Sequence, residues 1–104
     1  MISMEIKRDK RGRIVFFRAK GHSGYKKKGE DIVCAGVSAI LQTTLLGLSK
    51  HLNMRLDVIK EEGYLEVKIL DEPLSTASSI LEAMLLGLLE IKDKYPKYLE
   101  IIQI

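Results

Sequence analysis

Apolar and polar residues alternate over residues 2–7, with Ile2, Met4 and Ile6 on one side, which is the period of a β-strand. Arg8-Asp9-Lys10-Arg11-Gly12 interrupts it as a polar turn ending in glycine. Alternation resumes over residues 13–20, with Ile14, Phe16 and Arg18 on one face and Val15, Phe17 and Ala19 on the other. A hairpin follows from this pattern. Residues 21–30 are charged, glycine-bearing and without period, so a mobile loop is expected there. From residue 32 to residue 49 charge vanishes and a helical pattern takes over. Positions 34, 38, 41, 45 and 48 share one face, and 33, 37, 40 and 44 the adjacent one. Both faces are largely apolar, more than one sheet face can cover. The run approaches the length of a membrane span. Ser38, Gln42, Thr43, Thr44 and three early small residues instead fit a buried helix of a soluble domain.

Residues 54–60 and 64–70 read as two strands around Glu61-Glu62-Gly63, a hairpin signal. Tyr64, Glu66 and Lys68 mark one wet face. Asp71-Glu72-Pro73 breaks the pattern. A second helix starts at Leu74 or Ser75 and runs to about Lys94; its stripe is Ile80, Leu81, Met84, Leu85, Leu88 and Ile91, widened by Leu86 and Leu89. Pro96 ends it, and Leu99, Ile101 and Ile102 suggest a short last strand. The pattern predicts one two-layer α/β (α+β) domain over residues 1–104, a mostly antiparallel sheet of four to five strands with two long helices. The surplus of apolar helix surface predicts a homodimer; the competing expectation is that the helices cover each other.

Composition bounds the function classes. Apolar residues at 46% and charged residues at 30% exclude a disordered chain and a membrane protein. The single cysteine forms no intrachain disulfide, and the first eight residues lack the apolar core of a signal peptide, so a cytoplasmic location is expected. The net charge of +3 is uneven: residues 1–30 carry ten Lys or Arg against three acids, whereas residues 31–104 carry seven against eleven. A basic front end suits a ribosome or RNA surface, although it is equally the signature of a solvated hairpin.

The chemistry concentrates in Gly21-His22-Ser23-Gly24-Tyr25-Lys26-Lys27-Lys28-Gly29-Glu30-Asp31-Ile32-Val33-Cys34. This stretch holds the only cysteine and one of the two histidines. His22 falls where a strand ends, and Cys34 in the first turn of a helix. A thiol there feels the helix dipole, which favours thiolate, and an imidazole within reach would complete a nucleophile and base pair. Taken singly, a lone Cys is more often a small buried hydrophobe and a lone His a surface residue. Their pairing across one strand-loop-helix junction strengthens the case for chemistry without deciding it.

Gly21-His22-Ser23-Gly24 followed by Asp31-Ile32-Val33-Cys34-Ala35-Gly36-Val37-Ser38-Ala39 resembles the signature of the ribosomal-processing cysteine proteases, small bacterial proteins matched here over nearly the whole chain. Ser23 and Gly36 stand where that pattern leads one to expect alanine. The resemblance implies that Cys34 is the nucleophile and His22 the base. It also implies that the substrate is the N-terminal extension of ribosomal protein L-twenty-seven, and that the protein is a homodimer. No cofactor and no metal is expected. Asp31 could orient His22 or cap the helix, and its two oxygens could do both. Ser38, four residues after Cys34, could bond the thiol or a bound backbone. The amide of Cys34 and those of the turn before it are natural oxyanion donors. The loop from Gly21 to Glu30 could close over a bound peptide.

Three rivals weigh against this. A metal site from His22, Asp31 and Cys34 lacks a CxxC or HxxxH pair, and His51 lies about 26 Å along a continuous helix from Cys34. A redox-sensing thiol lacks a resolving cysteine. RNA binding is the serious alternative, because Gly21-His22-Ser23-Gly24 is formally a GXXG followed by Tyr25 and three lysines. In KH domains, however, that loop joins two helices, and here it follows a strand.

Overall fold

A computed structural model describes residues 1–72 and 75–104. The order of elements is β1 (Ile2–Arg8), β2 (Ile14–Lys20), α1 (Ile32–Leu46), β3 (Leu56–Glu61), β4 (Tyr64–Ile69), α2 (Ser75–Lys94) and β5 (Leu99–Gln103). The five strands form one sheet in the order β3-β4-β2-β1-β5. All neighbours run antiparallel except β1 and β5, which are parallel. The expected two-layer class is therefore found, with one parallel pair that local periodicity does not announce, because it joins the two ends of the chain. Pro73 and Leu74 lie outside the described residues, so of the two helix starts expected only Ser75 can be compared.

Both helices pack on one face of the sheet and against each other. Ile2, Met4, Ile6, Phe17, Leu65 and Val67 point into this layer, where they meet Val37, Leu41, Leu81 and Leu88. One detail departs from simple alternation. Ile14 and Phe17 are both buried, three residues apart, because the β1–β2 register shifts between Lys7 and Arg8. Val15 is the extra residue of this bulge, so Ile14 does not share a face with Phe16 and Arg18. The other sheet face is polar: Arg18 lies between Glu5 and Glu66, and the Tyr64 hydroxyl donates to Glu66 at 2.7 Å.

Close approach of the helices depends on small residues. A Cβ on Gly36 would lie 3.3 Å from Ile91, one on Gly47 3.3 Å from Ile80, and one on Gly87 3.2 Å from Ile40. The last turn after α1, Gly47–His51, widens to π-helical pitch, with the Leu52 amide donating to the Gly47 carbonyl at 3.0 Å. Asn53 then adopts φ +52, ending the helix. By length and composition the 20 residues Ile32–His51 could cross a membrane. Here Val33, Val37, Leu41 and Thr44 are instead buried within the domain.

Candidate active site

β2 ends at Lys20, and Gly21 turns the chain out of the sheet at φ +95. A Cβ at this position would lie 2.7 Å from the Met1 carbonyl oxygen, so only glycine fits. The Gly21 amide donates to the Gly63 carbonyl at 2.8 Å. This contact continues the β2–β4 register, in which Lys20 pairs with Tyr64. His22 is thereby set against the β3–β4 turn, where a Cβ on Gly63 would fall 2.9 Å from His22 Nε2. The imidazole is exposed.

Cys34 is half-buried in the first turn of α1. Asp31 is the N-cap: its Oδ1 accepts the Cys34 amide at 2.9 Å, and its carbonyl accepts the Ala35 amide at 3.0 Å. The other carboxylate oxygen accepts the hydroxyl of Ser23. Ser23 Oγ in turn accepts the Tyr25 amide at 3.1 Å, while the Ser23 amide donates to Cys34 Sγ at 3.4 Å. Burial works against the Asp31 charge, but the Cys34 amide, the Ser23 hydroxyl and the amides of Lys26 and Val33 outweigh it and hold the carboxyl below its ordinary range.

Two expectations change. Asp31 spends its oxygens on the cap and on Ser23, not on His22. The Cys34 amide, an expected oxyanion donor, is already committed to Asp31, because an N-cap carboxylate satisfies the amides of the first turn. The loop is also less uniformly free than its composition suggests. Gly21 and Ser23 are tied as above, and the Tyr25 ring sits edge-on to Tyr95 and Tyr98, with centroids 5.5 and 5.2 Å away. Lys26, Lys27, Lys28, Gly29 and Glu30 are exposed. Lys28 reaches across to Glu62 at 2.9 Å, and Lys27 lies 3.9 Å from Glu30. Lys28 first, and His22 after it, hold the Glu62 carboxyl below its usual range.

His22, Cys34 and Ser38 line one groove of about 560 Å³ between the loop, the start of α1 and the β3–β4 turn. Ser38 is exposed there. A smaller hollow of about 250 Å³ adjoins His22 and Cys34 and is walled by Ala19, Val37, Leu41 and Leu65. Among the described residues no hydrogen bond joins His22 to Cys34, and no three potential metal ligands are gathered together. His51 sits in the last turn beyond α1, at the opposite end of the helix from Cys34. Gly21 to Gly24 follow a strand, which is not the KH arrangement. Sequence reasoning missed Glu62, Gly63, Tyr95 and Tyr98. Nothing local marks them, since strand register and helix packing bring them to the loop.

A thiol at a helix N-terminus, an imidazole in the same groove and an open cleft can perform nucleophilic acyl transfer. Comparison with known proteins agrees. The family model described as cysteine protease Prp matches residues 1–100. The ribosomal processing cysteine protease Prp of Staphylococcus aureus is 29% identical over 97 residues, spanning 91% of this chain and 92% of that protein. A crystal structure of the essential ribosomal processing protease Prp from S. aureus, in complex with a covalently linked product peptide, superimposes with a TM-score of 0.95 at 26% identity, covering all of both chains. The S. aureus structure with a substrate peptide gives 0.89 at 25% identity, again over both whole chains.

Proposed function

Because the chain belongs to the Prp family of cysteine proteases, we propose that Cys34 and His22 are its nucleophile and base, and that it removes the N-terminal extension of ribosomal protein L-twenty-seven. The observation that carries this reading is the shared groove: the only thiol of the chain and an exposed imidazole line one peptide-sized cleft. His22 takes the proton of Cys34, and the thiolate attacks the scissile carbonyl. The tetrahedral adduct collapses, and the leaving amine takes the proton back from imidazolium. Water, deprotonated by His22, then hydrolyses the thioester and restores the thiol. Asp31 fixes the helix start that carries Cys34, and Ser38 stands beside the cleft to contact bound backbone.

The substrate reading is supported by the ribosomal processing activity of the S. aureus relative. The exposed lysines of the loop suit contact with a ribosome or RNA surface. The absence of a second cysteine suits the reducing cytoplasm. Homodimerisation is supported by the helical layer, since along Ile32–His51 only Val33, Val37, Leu41, Thr44 and Leu48 are buried within the chain. The test is cleavage of a peptide spanning the extension. Cys34→Ala and His22→Ala should each lose about a thousandfold or more in kcat/KM. Wild-type cleavage by Cys34→Ala would overturn the mechanism; cleavage of unrelated peptides but not the extension would overturn the substrate.

A further inference from the structure

Ser23 differs from the rest of its loop. Its side chain is 2% exposed, whereas Gly24 and the residues from Lys26 to Glu30 are open to solvent. A buried hydroxyl needs partners, and those of Ser23 lead back to the nucleophile by two routes. The hydroxyl donates to Asp31, whose other oxygen holds the Cys34 amide at 2.9 Å. The backbone amide of Ser23 donates to Cys34 Sγ itself at 3.4 Å. The three residues thus close a ring, running from Ser23 through Asp31 to the backbone of Cys34 and back from its sulfur to Ser23.

We propose that Ser23 is a positioning residue for catalysis: its buried hydroxyl locks the start of the loop to the helix cap so that its amide is aimed at the sulfur of Cys34. An N–H donor interacts weakly with a thiol and strongly with a thiolate. The bond therefore gains strength as the proton leaves for His22, which favours attack rather than substrate binding. The hydroxyl has a second effect. Asp31 lies one turn before Cys34, and its charge opposes a thiolate; Ser23 takes up one carboxylate oxygen and the Cys34 amide the other. The other charged or titratable groups lining the groove are His22, Lys26 and Lys28 from the loop and Glu62 from the β3–β4 turn. None of these bonds the sulfur, so among the described residues the Ser23 amide is its donor. Tyr25 buttresses the arrangement from outside, with its amide on Ser23 Oγ and its ring against Tyr95 and Tyr98.

The inference rests on Cys34 being the nucleophile, so the experiment separates the two. Ser23→Ala removes the hydroxyl and keeps the amide. It should lower kcat for the extension peptide about tenfold with KM within about twofold, and slow iodoacetamide capture of Cys34 by a similar factor. Wild-type kcat and capture rates in the folded variant would overturn the proposal. In the wild-type protein, which needs no variant to fold, the Ser23 amide should be protected from hydrogen exchange, and Cys34→Ala should speed its exchange several-fold by removing the acceptor. Exchange of the wild-type Ser23 amide at the rate of a free loop amide would also overturn it. Retained cleavage by Cys34→Ala would instead refute the protease mechanism, with the exchange result still judging the ring.

Discussion

At the scale of single residues, Gly63 is the position whose part in the site is hardest to see from its chemistry. It has no side chain, yet a Cβ there would enter the space of His22 Nε2 and would be strained at φ +68. Gly63→Ala should therefore displace the imidazole as well as stress the turn. The expected result is a drop in kcat/KM of tenfold or more, with a stability loss of about 1 kcal/mol from the left-handed backbone. Melting temperature and peptide cleavage measured on the same sample check it; full activity would show that His22 is placed by something else. Asp31 gives the pH dependence. Its folded carboxyl titrates below the ordinary value of 3.8, so its stabilisation is present above that value and lost as pH falls through the folded one. Acid should loosen the turn carrying Cys34 below about pH 4, and Asp31→Asn should flatten that part of the stability–pH curve. Asp31→Ala should cost about 1 kcal/mol through the lost cap.

At the scale of elements, the loop divides in two. Its first part, through Tyr25, is tied to α1 and to the end of α2, whereas residues 26–30 are exposed and held across the groove by Lys28 and Glu62. Gly24 and Gly29 bracket this second part at φ +76 and +90, and nothing lies within 4 Å of a Cβ on either. Neither glycine packs against the core, so rotation about them would leave it undisturbed. Addition of an uncleaved peptide to Cys34→Ala should slow hydrogen exchange over residues 26–30 more than at Ser23, which is already bonded. Equal protection with and without peptide would mean a preformed cleft. Glu62→Gln removes the charge that holds Lys28; it should speed exchange of residues 26–30 and leave the melting temperature unchanged, because both partners are exposed and solvent screens the pair.

At the scale of the whole molecule, the helical layer carries apolar surface that the sheet cannot reach. Part of the surplus is consumed by packing of α1 on α2, where glycines let the helices approach. The remainder includes Leu46 at 50% and Leu86 at 64% exposure, and a groove of about 490 Å³ between the helices is lined by Ala39, Ile40, Thr43, Ile80 and Ala83. Light scattering at micromolar concentration should report twice the 11.8 kDa chain mass. Leu86→Asp should return it to a monomer with its fold intact. Leu85→Asp should unfold the chain, since Leu85 is only 5% exposed and an unpaired charge would be buried within the domain. A concentration-independent monomer mass for the wild-type chain would refute the dimer.

The sequence alone determined the elements and where the candidate site lies. Period two marked the strands, the uncharged run marked α1, and Gly21, His22, Asp31 and Cys34 marked the candidate site, because each signal lies within a few neighbouring residues. The Asp31 cap was legible for the same reason. Tertiary structure decided what depends on register and on contacts between distant segments. The parallel β1–β5 pair joins opposite ends of the chain, and the bulge at Val15 turns Ile14 inward. Gly63 comes to His22 only because Lys20 pairs with Tyr64, and Tyr25 meets Tyr95 and Tyr98 only because β5 returns beside β1. The bond between Ser23 and Asp31 was settled in the same way: beyond the cap, which donor reaches the second carboxylate oxygen depends on how the loop folds back on the helix, and no local spacing encodes that.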